Sequence, residues 1–182
     1  MENVLILAPH TDDGELGCGG TIAKFIEEGK NVFCAAFSIA EDSVPDGFSK
    51  DALKYEFINA MKLLGLPEEN LFIYGFRVRH FPQYRQEILE EIIKLRKKIS
   101  PTLVLIPSPN DIHQDHQVIA SEGLRSFKKI SEGGFVNKYP PLEPRTDLTK
   151  PAVRRGIMTC SRYLREISSF LAISFNSIGP SP

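Results

Sequence analysis

The chain has 182 residues, of which 42% are hydrophobic and 25% are charged, a composition typical of one folded domain with at most a short appendage. Its formal net charge of -1 gives no electrostatic reason to expect nucleic acid or an anionic membrane as a partner. The three cysteines are too few and too scattered for a disulfide framework, and no basic n-region precedes the first apolar residues. We therefore expect a cytoplasmic protein without a signal peptide or a membrane span.

Short apolar runs alternate with amphipathic stretches over the first 130 residues. In chain order, the predicted elements are a strand at 4–8, a helix at 16–29, a strand at 32–37, a helix at 50–64, a strand at 71–74, a helix at 83–99, a strand at 102–106 and a helix at 114–129. The alternation predicts right-handed βαβ units. The expected fold class is α/β, a three-layer α/β/α sandwich with a mostly parallel, Rossmann-like sheet.

The segment after residue 130 has a different character. It is interrupted by prolines at positions 140, 141, 144 and 151, and its basic residues outnumber its acidic ones. One stripe at helical spacing is nevertheless present: Ile157, Cys160, Leu164, Ile167 and Leu171. We therefore divide the chain into a folded domain over 1–130 and a divergent, truncated or partly disordered segment over 131–182, which makes the C-terminal part atypical.

The loop after the first predicted strand carries potential metal ligands. Residues 9–20 read PHTDDGELGCGG, so His10 and the adjacent carboxylates of Asp12 and Asp13 follow the carboxyl end of a parallel strand. Imidazole and carboxylate suit a zinc-like ion, and a cation would relieve the repulsion between the two aspartates. The alternative is that Asp12 or Asp13 caps the following helix and His10 is a satisfied neighbour. The glycines do not match G-x-G-x-x-G, so a dinucleotide site is not supported.

The loop after the fourth predicted strand has a similar polar cluster. Residues 107–116 read PSPNDIHQDH and again open a helix. A parallel sheet can bring this loop beside the first one, and Asp115 is well placed to hydrogen-bond an imidazole. A capping segment with surface histidines is the alternative. Three of the four histidines lie in these two loops, and this concentration favours a shared site.

Together the two loops resemble the paired motifs of the LmbE-like, or PIG-L, zinc-dependent N-deacetylases. The family pattern A-H-P-D-D-x-E-x-G-x-G-G is similar to residues 9–20, and H-x-D-H appears as His113-Gln114-Asp115-His116. Pro9 and Thr11 depart mildly from the first pattern, and neither is a ligand. The resemblance covers about residues 3–130, which would then be the catalytic domain, and does not extend over 131–182.

The resemblance implies a ligand set and a reaction. It implies that His10, Asp13 and His116 are the metal ligands and that Asp12 is the general base. It further implies that His113, poised by Asp115, interacts with the developing oxyanion or protonates the leaving amine. The implied ion is Zn²⁺, and Fe²⁺ accepts the same ligands. The implied partner is a small N-acetylated amino-sugar substrate, deacetylated by hydrolysis, and a homo-oligomer would agree with the family.

Two other functions stay open. A metal-dependent phosphoesterase also uses carboxylates and histidines, although two-metal sites usually need more carboxylate ligands than these loops provide. A non-catalytic or degenerate metal-binding α/β module would result if the atypical C-terminal segment removed the pocket. Four basic residues after the third strand either read an anionic group of the substrate or are solvated charges flanking a helix: Arg77, Arg79, His80 and Arg85.

Overall fold

The computed structural model describes residues 2–127 and 156–159. The strands are β1 (Asn3–Ala8), β2 (Asn31–Ala36), β3 (Leu71–Ile73), β4 (Leu103–Ile106) and β5 (Gly156–Thr159). The α-helices are α1 (Asp13–Glu27), α2 (Ala52–Leu63), α3 (Arg85–Ile99) and α4 (Gln114–Ser126). Short 3-10 segments lie at Glu41–Ser43, Glu68–Asn70 and Phe81–Tyr84. The predicted α/β class is confirmed, and every element predicted up to residue 127 is present.

The sheet is parallel, with the strand order β3-β2-β1-β4-β5. The chain therefore runs outward from β1 to β2 and β3, and then returns to place β4 on the other side of β1. In open parallel sheets, ligands bind beyond the carboxyl ends of the strands where this order reverses. Here the reversal lies between β1 and β4, so the loops that follow these two strands face the same crevice.

Alternate side chains of β1 pack on opposite faces of the sheet. Val4 and Ile6 belong to the apolar cluster formed with α1 and α2, whereas Leu5 and Leu7 belong to the cluster formed with α3 and α4. All four side chains are buried, and each contributes about 1.5–3 kcal/mol relative to exposure. These clusters account for the three-layer arrangement. In the described part of the chain, no helix is both long enough and apolar enough to cross a membrane.

The fifth strand corrects one prediction for the C-terminal segment. Residues 156–159 pair in parallel with β4, from Gly156 opposite Leu103 to Thr159 opposite Ile106. Ile157 therefore lies in a strand, and the helical stripe is wrong at its first member. Pairing with β4 satisfies backbone groups along that strand, an effect that side-chain spacing does not reveal. The rest of the stripe lies outside the described residues, and the boundary at residue 130 stays a prediction.

Candidate metal centre

The β1–α1 loop is shorter than expected because α1 begins at Asp13, three residues before the predicted start. The acidic side chain of Asp13 in this first turn is favourable beside the positive end of the helix dipole. The backbone N–H of His10 donates to Asp13 Oδ2 at 2.9 Å, which draws this carboxylate back toward the imidazole. Asp13 thus occupies the first helical turn rather than a free loop.

Three side chains from the two loops offer donor atoms to one point. Donor atoms of His10, Asp13 and His116 all lie within 4.8 Å of one another. His10 Nδ1 is 3.3 Å from Asp13 Oδ2, and His116 Nε2 is 3.4 Å from the same oxygen. Ligands bound about 2.0–2.1 Å from a tetrahedral zinc ion are separated by about 3.3–3.4 Å. The donor set therefore fits one zinc-like ion, with a fourth position for water or substrate.

Asp115 holds His10 from the opposite side of the ring. Its carboxylate is fully buried, and Oδ2 lies 3.0 Å from His10 Nε2. A carboxylate accepts hydrogen bonds and does not donate them, so Nε2 carries the proton and Nδ1 keeps its lone pair. The backbone N–H groups of Arg79 and Phe81 also donate to this carboxylate, at 2.6 and 3.2 Å. These contacts disfavour the other donor combination in the site, His10 with His113 and Asp115.

The expected pairing of His113 with the Asp115 carboxylate is not what the structure contains. His113 is the N-cap residue of α4, and its Nδ1 accepts the backbone N–H of Asp115 at 3.2 Å. The Asp115 carboxylate contacts His10 instead. At the start of α4, only the backbone N–H of Asp115 bonds His113, while its side chain bonds His10. Since Nδ1 of His113 accepts, Nε2 carries the proton of the neutral ring. The His113 ring lies 5.0 Å, centroid to centroid, from the rings of both His10 and His116.

The sequence prediction missed Asp111, whose carboxylate contacts a predicted ligand. Asp111 Oδ2 lies 3.0 Å from His116 Nδ1, and Oδ1 accepts the backbone N–H of His113 at 2.9 Å. The only signal in the sequence is a carboxylate five residues before His116, across the start of a predicted helix.

Opposite charges in the centre shift the pKa values of His10 and Asp13 toward their ionised forms. Burial by itself lowers the pKa of His10. The hydrogen bonds that the protonated ring would donate to Asp13 and Asp115, together with the negative charges of both, outweigh burial, so the pKa is raised. Burial likewise raises the pKa of Asp13, but the hydrogen bond to His10 and the charge of His116 outweigh it, so the pKa is lowered. The Asp13 carboxylate therefore stays ionised at neutral pH, as a cation ligand requires.

Asp12 is exposed at the N-cap position of α1. Within the described residues its side chain makes no capping hydrogen bond, while its backbone carbonyl accepts the N–H of Leu16 at 3.1 Å. The alternative in which the Asp12 side chain caps the helix is therefore not supported. Its carboxylate is available beside Asp13 for chemistry.

Comparisons with known proteins agree with this geometry. The family model described as PIG-L, GlcNAc-PI de-N-acetylase, matches residues 5–126, which contain both loops. The chain belongs to the PIG-L family. A curated relative, diacetylchitobiose deacetylase of Thermococcus kodakarensis, is 26% identical over 144 residues, which are 75% of this chain and 52% of that protein.

Solved structures of similar proteins share the fold of this PIG-L family chain. The conserved protein TT1542 from Thermus thermophilus has a TM-score of 0.57 and 29% identity, covering 69% of this chain and 55% of that one. The N,N'-diacetylchitobiose deacetylase from Pyrococcus horikoshii has a TM-score of 0.60 and 25% identity, covering 69% and 49%. The PIG-L family chain thus spans about half the length of these relatives.

The basic residues after β3 have mostly structural contacts in this family member. Arg77 pairs with Asp42 at 2.8 Å, and Arg85 pairs with the fully buried Glu122. Arg79 has a positive φ of 68°, which lets its backbone N–H reach Asp115, and its carbonyl accepts Gln114 Nε2 at 3.2 Å. Two of the four basic residues considered as anion-binding candidates, Arg77 and Arg85, are therefore already paired with carboxylates.

A cavity of about 210 Å³ opens beside the candidate metal ligands of the PIG-L family chain. Asp13, Ser108, Asp111 and His116 form its polar lining, and mostly apolar residues of β1, α1, β4 and the loops after β1 and β4 form the rest. The cavity therefore has room for a small group beside these donors, within a lining that is mostly apolar.

Proposed function

We propose that this chain is a metal-dependent hydrolase that removes an acetyl, or similar short acyl, group from the amide nitrogen of an N-acetylglucosamine-like sugar or conjugate. The observation that carries the proposal is the convergence of His10 Nδ1 and His116 Nε2 on Asp13 Oδ2, at the crevice between β1 and β4. Membership in the PIG-L family and the 26% sequence identity to a diacetylchitobiose deacetylase support the reaction class.

His10, Asp13 and His116 are the proposed ligands of a zinc ion, and Fe²⁺ would accept the same donors. Such an ion, when bound, lowers the pKa of water and polarises the amide carbonyl. Asp12 accepts the proton of the attacking water, because its exposed carboxylate is next to a ligand in sequence and is not used for capping. The neutral His113 ring donates its Nε2–H to the oxygen that becomes negative in the tetrahedral intermediate.

The contacts of His113 favour this oxyanion role over protonation of the leaving amine. An imidazolium carries a proton on Nδ1 as well, and would lose the hydrogen bond from the Asp115 backbone N–H. The proton that reaches the amine is therefore the one that Asp12 took from water. Water adds to the acyl carbon, the C–N bond breaks, and the products are a short carboxylic acid and a free amino sugar.

Replacing the proposed base tests this mechanism. Asp12→Asn is expected to keep the zinc content of the wild-type chain, because Asp12 is not a ligand. Acetate release from N-acetylated sugars should fall by about 10²–10⁴-fold, the usual contribution of a general base. Asp46→Asn is the matched control, since Asp46 is an exposed loop aspartate, and it should keep full activity. Wild-type turnover in the Asp12→Asn variant would reject the base assignment.

The wild-type chain itself separates the three functions. Zinc binding with acetate release supports the deacetylase, and zinc binding with release of phosphate from phosphate esters instead supports a phosphoesterase. Zinc binding without turnover on either class of substrate supports a metal-binding module. A chain that binds no divalent metal would reject all three.

A further inference from the structure

We propose that Asp111 is a positioning residue that fixes His116 in the Nδ1–H tautomer and so directs the Nε2 lone pair toward the metal position. The inference rests on the proposed metal centre and adds a residue that lies outside both sequence motifs. Its basis is the 3.0 Å contact between Asp111 Oδ2 and His116 Nδ1.

The tautomer of His116 decides whether its ring can bind a cation. A neutral imidazole has one N–H and one lone pair, and an ionised carboxylate can only accept. Asp111 therefore requires the proton on Nδ1, which leaves the lone pair on Nε2, 3.4 Å from Asp13 Oδ2. In the opposite tautomer, Nε2–H would donate to Asp13, and both groups would be satisfied without an ion. Asp111 thus keeps the centre open for a cation.

A carboxylate also fixes the tautomer of His10, but in that ring the proton is on Nε2 rather than on Nδ1. Asp115 contacts Nε2 of His10, so the free lone pair of this ring is on Nδ1. Two carboxylates thus hold two rings in different tautomers, and both lone pairs meet at Asp13 Oδ2. This is the arrangement in which a carboxylate hydrogen-bonds the far nitrogen of a metal-bound histidine, which orients the ring and raises its basicity.

A purely local role for Asp111 is the competing explanation. Oδ1 accepts the backbone N–H of His113, two residues ahead, which is an Asx-turn at the start of α4. The Asp111 carbonyl also accepts Gln117 Nε2 at 2.7 Å, a contact that survives any side-chain substitution. A local role uses only Oδ1, whereas the proposed role uses Oδ2. The test therefore has to read the His116 ring rather than stability alone.

The ring is read by ¹⁵N NMR of the histidine side chains in the metal-free full chain, at about pH 8.5, where imidazoles with ordinary pKa values are neutral. We expect His116 of the wild-type chain to be the Nδ1–H tautomer, and Asp111→Ala to shift it toward Nε2–H. The same tautomer in both proteins would overturn the proposal. The measurement needs neither bound metal nor turnover, so it decides the role of Asp111 even if the wild-type chain binds no zinc.

Zinc affinity, measured by competition with a chromophoric chelator, is the second readout. Asp111→Ala should weaken binding about 10–100-fold, the usual effect of losing such a partner. Asp111→Asn should lose less, because its amide oxygen can still accept Nδ1–H, and it replaces the alanine variant if that one does not fold. Asn110→Ala, an exposed neighbour in the same turn, should bind zinc like the wild type. Unchanged affinity in both Asp111 variants, with zinc bound by the wild type, would leave only the local turn and overturn the proposal.

Discussion

The loops after β1 and β4 contribute donors to one point, but they are built differently. In the first loop, His10 is 9% exposed, Thr11 is 3% exposed, and α1 begins three residues after His10. In the second loop, Asn110 is exposed and Ile112 is 96% exposed, and the donor comes from α4 itself. One loop is embedded in the fold, and the other stands at its surface.

The carboxylates that hydrogen-bond the two histidines also differ, because that of His10 is distant in sequence and that of His116 is nearby. His10 depends on Asp115, which belongs to a distant helix, and the adjacent Pro9 carbonyl accepts the N–H of Ser38 after β2 at 3.0 Å. His116 depends on Asp111 of its own loop. We infer that the tertiary fold holds the first ligand, whereas local hydrogen bonds hold the second. Substitutions around His10 should therefore cost stability as well as metal binding, and those around His116 mainly metal binding.

Asp115→Ala should have the largest effect on stability. It leaves three donors without their acceptor, His10 Nε2–H and the N–H groups of Arg79 and Phe81. A buried donor left unpaired costs about 1–3 kcal/mol, so the two buried donors alone predict a loss of about 2–6 kcal/mol in the free energy of unfolding, to which the partly buried N–H of Arg79 adds. Denaturant unfolding of the metal-free chain measures it. Asp111→Ala should lose only about 1 kcal/mol, as its side chain is 32% exposed, and equal losses would contradict the comparison.

Two glycines of α1 offer a test of whether tight packing holds the first loop in place. A Cβ on Gly14, next to Asp13, would lie 2.5 Å from Met61 Cε and 3.2 Å from Cys34 Sγ, whereas one on Gly19 would meet only Leu64, at 3.7 Å. Gly14→Ala should therefore lose about 1 kcal/mol, because the buried end of Met61 must shift and Cys34 Sγ must give way to admit the methyl group. Gly19→Ala should gain up to about 1 kcal/mol of helix propensity. Thermal unfolding measures both, and a stabilised Gly14→Ala would show that the side chains around Gly14 have room for a methyl group.

The secondary structure and the candidate ligands could be predicted from the sequence, whereas the hydrogen-bond partners of the ligands could not. Apolar spacing predicted the strands and helices because burial of one face is a property of each segment alone. The motifs identified His10, Asp13 and His116 as candidates. The partner of His10 was not predictable, because Asp115 reaches this ring only after β4 returns beside β1. Asp111 is close to His116 in sequence, but residue types alone do not show that the turn before α4 directs its carboxylate to the ring. The left-handed turn at Arg79, which brings two further donors to Asp115, has no signal in the sequence.

We expect the smallest effect on stability from a substitution at the surface of the second loop, even though it removes a large side chain. Ile112→Ser removes an apolar side chain that is 96% exposed, so its loss should alter the free energy of unfolding by no more than about 0.5 kcal/mol. The matched substitution in the first loop is Thr11→Ser, which removes one methyl group from a side chain that is 3% exposed and should cost about 0.8 kcal/mol. Denaturant unfolding of the two variants shows which one loses more free energy of unfolding. A greater loss for Ile112→Ser than for Thr11→Ser would mean that packing anchors the second loop as well, and that Asp111 is not its main support.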